Sequence, residues 1–166
     1  MNNKYKTIIS LCDYSGAWVE PYRRNGYNVI QVDIKHGSDV RTFAFDDDVY
    51  GILAAPPCTE FSSSGAQYWK QKDLDGRTVE ALAIVDACLR LVVSKRKTLK
   101  FWALENPVGR LKKWLGKETF SFNPCDFGDA YTKKTLIWGD KVKKQKSCEA
   151  RHQRALLKLF IFVTSN

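Results

Sequence analysis

A doubly wound, mostly parallel α/β sheet is the fold the sequence predicts, and three observations predict it. Short apolar runs recur along the chain: TIISLC at Thr7–Cys12, NVIQVD at Asn28–Asp33, GILAA at Gly51–Ala55 and KFWALE at Lys100–Glu105. Each is strand-sized and ends at turn-forming or acidic residues. Helical signals fall between them, the longest over Arg77–Arg96, and strands alternating with helices imply βαβ units. In such a sheet a ligand is expected beyond the C-terminal strand ends. The 166 residues suit one domain with a sizeable core. A composition of 44% hydrophobic and 27% charged residues excludes a disordered chain.

The elements follow in order. Thr7–Cys12 reads as a buried strand entering a turn at Asp13 and Gly16. Ser15–Asn25 is a short helix capped by Ser15, interrupted early by Pro21 and stopped by Gly26. Asn28–Asp33 is a strand with an acid at its C-terminal end, and Gly51–Ala55 is a strand stopped by Pro56-Pro57. Ser62–Gly76, polar and rich in Ser, Gln and Lys, reads as loop. Across Arg77–Arg96, residues Ala81, Leu82, Ile84, Val85, Cys88, Leu89, Val92 and Val93 make a wide apolar face that predicts a helix packed on the sheet. Lys100–Glu105 is a strand ending at Asn106-Pro107, with a short helix expected at Val108–Leu115. Thr119–Asn123 and Thr135–Trp138 read as later strands, while Ala155–Val163 fits a helix or a strand.

Charge is distributed unevenly. Met1–Val108 carries 14 basic and 13 acidic residues, Gly109–Asn166 carries 13 and 5, so +8 of the net +9 lies in the back third. That asymmetry points to a polyanion-facing surface, with Lys141, Lys143, Lys144 and Lys146 as either a nucleic-acid contact or a solvated loop. Five cysteines with no CxxC or CxxH spacing predict neither a disulfide framework nor a metal site. With no apolar run of membrane-spanning length and no secretory pattern in MNNKYKTIIS, a reducing, cytoplasmic setting is expected.

Residues suited to chemistry fall at the predicted strand ends. In Cys12-Asp13-Tyr14-Ser15-Gly16-Ala17, a glycine in a strand-to-helix turn lets backbone N–H groups approach a cofactor closely, or simply makes the turn. Asp33 lies 17 positions after Gly16, near the spacing at which an acid meets a ribose hydroxyl in Rossmann-like folds. Asp39-Val40 is a polar–apolar pair suited to the edge and face of an adenine ring. Together these favour an adenosine-containing cofactor. Pro56-Pro57 fixes two φ angles and presents Cys58 at a rigid turn, where a thiolate is the useful nucleophile. Glu105, in Leu104-Glu105-Asn106-Pro107, is a partly desolvated carboxyl able to hold a proton for a ring nitrogen, or a cap for the helix that follows. Phe127–Thr135 adds Lys133 and Lys134 as candidate phosphate contacts.

Pro56-Pro57-Cys58-Thr59-Glu60-Phe61-Ser62 resembles the PPCxxFS catalytic loop of the DNA cytosine-C5 methyltransferases. Leu11–Gly16 is similar to their first cofactor motif, with Cys12 where the family has phenylalanine. Glu105-Asn106-Pro107 is similar to their ENV motif. Phe127–Thr135 is similar to their QxRxR motif, with Tyr131, Lys133 and Thr135 at its three positions. The four stretches occur in family order, and short phage- and prophage-borne members look closest. Only 31 residues follow Thr135, too few for the family's separate target-recognition domain and its final cofactor motif.

The resemblance implies a class I methyltransferase domain over residues 1–140 with a basic extension at 141–166. It further implies S-adenosyl-L-methionine as cofactor, no metal, and DNA as partner, with a target cytosine flipped from its helix as in restriction–modification methylation. Cys58 would add to C6 of cytosine, and Glu105 would protonate or hydrogen-bond N3. Lys133 would hold a phosphate or assist the carboxylate. Asp13, Tyr14, Ser15, Gly16, Asp33, Ile34, Asp39, Val40 and Pro56 would line the cofactor site. Ser62, Asn106, Lys133 and Thr135 would contact substrate. The alternatives are an RNA (tRNA) cytosine-C5 methyltransferase, since one subfamily shares these motifs, and a catalytically impaired DNA-binding relative.

Overall fold

The computed structural model describes residues 2–127 and 130–142. Of the basic extension only Lys141 and Val142 are included; Lys143, Lys144, Lys146 and the Ala155–Val163 run lie outside the described residues.

Six strands form one mixed, mostly parallel sheet: β1 (Thr7–Leu11), β2 (Asn28–Val32), β3 (Gly51–Ala54), β4 (Phe101–Pro107), β5 (Phe120–Phe122) and β6 (Thr135–Asp140), in spatial order β2-β1-β3-β4-β6-β5. The first four are parallel; β6 runs antiparallel to both β4 and β5. The architecture is α/β and consistent with a Rossmann-like fold. β1 and β3 are buried along their whole length, which is why their sequences are continuous apolar runs rather than alternating ones.

Side-chain alternation along these strands feeds two cores. Ile9, Leu11, Ile52 and Leu104 face one layer; Ile8, Leu53, Phe101 and Ala103 face the other. Helix α3 (Arg77–Ser94) covers the first with a stripe of Ala81, Val85, Cys88 and Val92. Within the predicted face, Val93 falls outside it at 68% exposure, while Ala87 and Leu91 are buried in its place. The second layer receives Trp18, Val19 and Tyr22 from the segment around α1 (Glu20–Arg24).

Three expectations need correction. The helix expected over Ser15–Asn25 is only the five residues of α1, with Val19 as N-cap and Pro21 in the first turn, where its missing N–H costs nothing. Pro21 starts this helix rather than interrupting it. The stretch expected as loop, Ser62–Gly76, forms a 3-10 turn over Ser63–Tyr68 followed by α2 (Trp69–Leu74). Its Ser and Gly content signalled coil, but tertiary contacts through Lys72 and Trp69 override that weak preference. The helix expected over Val108–Leu115 shrinks to α4 (Lys112–Leu115), because the backbone of Val108, Gly109 and Arg110 pairs with Lys134 and with Phe61–Ser63 instead, while β4 runs to Pro107. Glu105 is therefore a strand residue, not a helix cap. No helix among the described residues is long and apolar enough to cross a membrane.

Candidate active site at the strand ends

The C-terminal ends of β1, β2, β3 and β4 share one edge of the sheet, as their parallel pairing requires. β1 has β2 on one side and β3 on the other, so the strand order reverses between β1 and β3, where a ligand crevice is expected. The Cys12–Gly16 turn follows β1 and the Ala55–Cys58 turn follows β3, so the two flank that point.

On the β1–β2 side, Asp13 is buried and holds its own turn. Its carboxylate accepts from Ser10 Oγ at 2.8 Å, Ser15 Oγ at 3.3 Å and the Gly16 N–H at 2.9 Å. Asp13 and Ser15 thus act within the loop. Gly16 has φ +66°, and a Cβ there would stand 2.7 Å from Gln31 Nε2, so the turn needs glycine. Gln31, which sequence reasoning passed over, donates to the Asp13 carbonyl at 3.0 Å and accepts from Arg23. Asp33 ends β2 and caps the next turn, with Oδ1 accepting from the Lys35 N–H at 2.9 Å; Oδ2 makes no hydrogen bond with the described residues. Next to it in the chain Ile34 is 67% exposed, and Tyr14, 54% exposed, has its ring 5.0 Å from that of His36 and 4.8 Å from the Lys35 ammonium. A free carboxylate oxygen beside an exposed aliphatic and an exposed aromatic side chain is a set that fits a nucleoside. Asp39 lies near the same turn, its charge felt together with that of Asp33 at the Cys12 thiol; its carboxylate is paired with Arg41 at 2.5 Å, which holds it below the usual range, and Val40 is buried in the core.

On the β3–β4 side, Asn106 is fully buried and donates from Nδ2 to the Pro56 carbonyl at 3.0 Å. This bond fastens the end of β4 to the Pro-Pro-Cys turn. Asn106 Oδ1 is buried without a hydrogen-bond partner. Asn106 and Pro56 therefore build the turn that carries Cys58, which is half-buried. Glu105 precedes Asn106 and, by strand alternation, shares the face of Ala103. Burial pushes its carboxyl up from 4.5 to about 7, against the pull of the nearby Lys133 ammonium. Lys133 reaches this position because β6 begins beside the end of β4, with Thr135 opposite Pro107. Thr135 itself is buried and donates to the Lys133 carbonyl at 2.9 Å, shaping that loop. Ser62 Oγ pairs with Ser64 Oγ at 3.0 Å, and Ser62 bridges to Gly109 through the backbone.

The residues that sequence reasoning missed are those that hold the Cys58 loop down. Arg110 is buried and donates to the Glu60 carbonyl, Asp73 and Thr78. Lys72 is buried against Glu60 at 3.2 Å. A polar residue in a stretch that reads as loop gives no sign that it will be buried.

Compared with known proteins, the chain matches no protein-family model and no curated protein.

Proposed function

We propose that this chain is a class I methyltransferase domain that transfers a methyl group from S-adenosyl-L-methionine to C5 of cytosine in DNA. The observation that carries the reading is the Asn106–Pro56 hydrogen bond. It joins the Glu105 strand end to the Cys58 turn, so a nucleophile and a proton-holding carboxyl share one edge of the crevice. The exposed Ile34 and Tyr14 beside the open oxygen of Asp33, and the close-approach turn at Gly16, fit the adenosine part of the cofactor. When bound, the cofactor supplies an electrophilic methyl group on a sulfonium.

Cytosine C5 is too weak a nucleophile to take that methyl group unaided. Cys58 Sγ, as thiolate, forms a bond to C6 and pushes electron density to C5. Glu105, protonated near neutral pH, donates to N3 and stabilises the charge that develops on the ring. C5 takes the methyl group, then loses its proton to a base, and the returning electron pair expels Cys58 as thiolate. Lys133 lies close enough to bias Glu105 toward its ionised form, and so assists its return to the carboxylate.

The test is transfer of labelled methyl to DNA and to RNA in parallel, followed by nucleoside analysis, with Cys58→Ser as control. The expected product is 5-methylcytosine in DNA, absent with Cys58→Ser because a serine hydroxyl is a far poorer nucleophile than a thiolate. DNA containing 5-fluorocytosine should trap the wild-type chain covalently, since fluorine blocks the final elimination. Full activity in Cys58→Ser would overturn the mechanism, and methylation confined to RNA would change the substrate.

A further inference from the structure

We propose that Arg110 and Lys72 are positioning residues for Cys58, two buried cations that clamp the backbone following it and thereby aim its thiol. This rests on the reading of Cys58 as the nucleophile. Four consecutive carbonyls after the Pro-Pro turn are each taken by a donor. The Cys58 carbonyl accepts from the N–H groups of Phe61 and Ser62 at 3.0 and 2.9 Å. The Thr59 carbonyl accepts from Lys72 Nζ. The Glu60 carbonyl accepts from Arg110 Nε at 3.0 Å, and the Phe61 carbonyl from the Arg110 backbone N–H at 2.8 Å. The two middle carbonyls, which no backbone N–H reaches, go to the two cations.

The cations are themselves fixed. The guanidinium donates to Asp73 Oδ1 at 2.7 Å and Thr78 Oγ1 at 2.6 Å, and its side chain is 4% exposed. It also lies 5.1 Å from the ring centre of Trp69 and 5.9 Å from that of Trp114. Lys72, equally buried, pairs with the Glu60 carboxylate at 3.2 Å. Arg110 thus ties the β4 end, the Cys58 loop and the α2–α3 junction into one unit. Burying two cations is an expensive route to stability, since apolar residues of similar volume often serve as well. What the cations add is direction: a forked donor and a point charge, each on a chosen carbonyl of the loop. Pro56 and Pro57 fix the approach to Cys58, and the clamp fixes the departure.

The experiment compares Arg110→Lys, Lys72→Met, Lys72→Arg and Asp73→Ala with the wild-type full chain. Each is assayed for methyl transfer, for KM of S-adenosylmethionine and DNA, and for the rate at which iodoacetamide alkylates Cys58, read by mass spectrometry of its peptide. Small misplacements of a reacting group cost up to about 100-fold, so Arg110→Lys and Lys72→Met should lose roughly 10- to 100-fold in kcat with little change in KM. Their Cys58 alkylation rate should change several-fold, and Lys72→Arg should recover most of both. Asp73→Ala, at a side chain 54% exposed, is the second variant, its folding checked by circular dichroism; freeing one end of the guanidinium should change both readouts in the same direction by less. Folded variants with wild-type kcat and wild-type alkylation would overturn the clamp. If the wild-type chain methylates no nucleic acid, the functional reading fails instead, and Cys58 alkylation alone still decides whether these cations position the thiol.

Discussion

The two edges of the sheet use charge in opposite ways. Along the edge where β1 to β4 end, ionic groups are buried and engaged: Asp13 with three donors, Lys72 with Glu60, Arg110 with Asp73 and Thr78. At the other edge, Lys95, Arg96, Lys97, Lys100 and Lys141 gather where α3 ends, β4 begins and β6 ends. No ion pair among the described residues includes any of them. Arg96, Lys100 and Lys141 line a shallow cavity of about 190 Å³. Burying charge costs several kcal/mol per ion before pairing returns it, so a fold concentrates such groups where geometry has to be held. The engaged edge holds the candidate site; the other is a surface of solvated cations.

Steric change should separate the edges most sharply. A Cβ on Gly109 would stand 1.9 Å from the Phe61 carbonyl oxygen and 2.7 Å from its carbon, and Phe61 is fully buried with nowhere to retreat. Gly109→Ala should therefore cost about 3 kcal/mol, the upper end of overpacking, and lower Tm by roughly 6–12 °C. Lys97→Ala at the opposite edge should stay within about 0.5 kcal/mol. Calorimetric melting of the two variants checks the contrast, and a Gly109→Ala protein that melts like wild type would break it.

Next in size is the effect of pH on Glu105. Its carboxyl is raised from 4.5 to about 7 by burial, so between those values the folded protein keeps a proton that the unfolded chain has lost. Stability therefore falls as pH rises through that window, by about 3 kcal/mol from this group. Glu105→Gln should remove this slope and be more stable than wild type at pH 8. The same variant should lose roughly 100-fold or more of methyl transfer, and with it the decline in activity expected above pH 7 as Glu105 ionises. Urea unfolding at several pH values tests the first effect, and pH–rate profiles test the second.

Smaller again is the effect at the cofactor side. Asp33→Ala should weaken S-adenosylmethionine binding roughly tenfold, the worth of one charge-assisted hydrogen bond of about 1.5 kcal/mol, and leave turnover at saturation nearly intact. Titration calorimetry giving an unchanged Kd would return Asp33 to its role as the cap of the Ile34–His36 turn.

What was legible in the sequence follows the same division. The four parallel strands were found within a residue or two because short, mainly apolar runs closed by Asp or Pro mark them, even in β2, where Val32 alone is fully buried. Cys58, Glu105 and Asp33 were legible as polar or nucleophilic residues at or just beyond strand ends. The clamp was not: Lys72 and Arg110 look like any surface cation until tertiary contacts bury them. Asp39 and Val40 show what a local pattern leaves out. Spacing suited them to an adenine ring, but Arg41, two residues on, occupies the carboxylate, and the core takes the valine. A local pattern records residue types, while burial is decided by segments far apart in the chain.

The last comparison sets one quartet of cations against another. Lys112, Lys113, Lys133 and Lys134 lie on the segments that follow β4 and precede β6, at the candidate site; Lys95, Arg96, Lys97 and Lys100 lie at the other edge. β6 carries the chain from one to the other, so Lys141, where the basic extension begins, is about 20 Å from Thr135. A duplex whose cytosine is held at Cys58 meets the first quartet directly and reaches the second only by wrapping around the sheet. Reversing the first quartet to Glu should lower the slope of log affinity against log salt by about 3–4, for four phosphate contacts, equally for all sequences. Reversing the second quartet should leave the slope, the yield of 5-fluorocytosine adduct and kcat at saturating DNA unchanged. Filter binding of one duplex from low to high salt measures both slopes. A larger drop from the second quartet would mean that nucleic acid is gripped at the edge away from Cys58, and that charge rather than buried geometry marks the binding face.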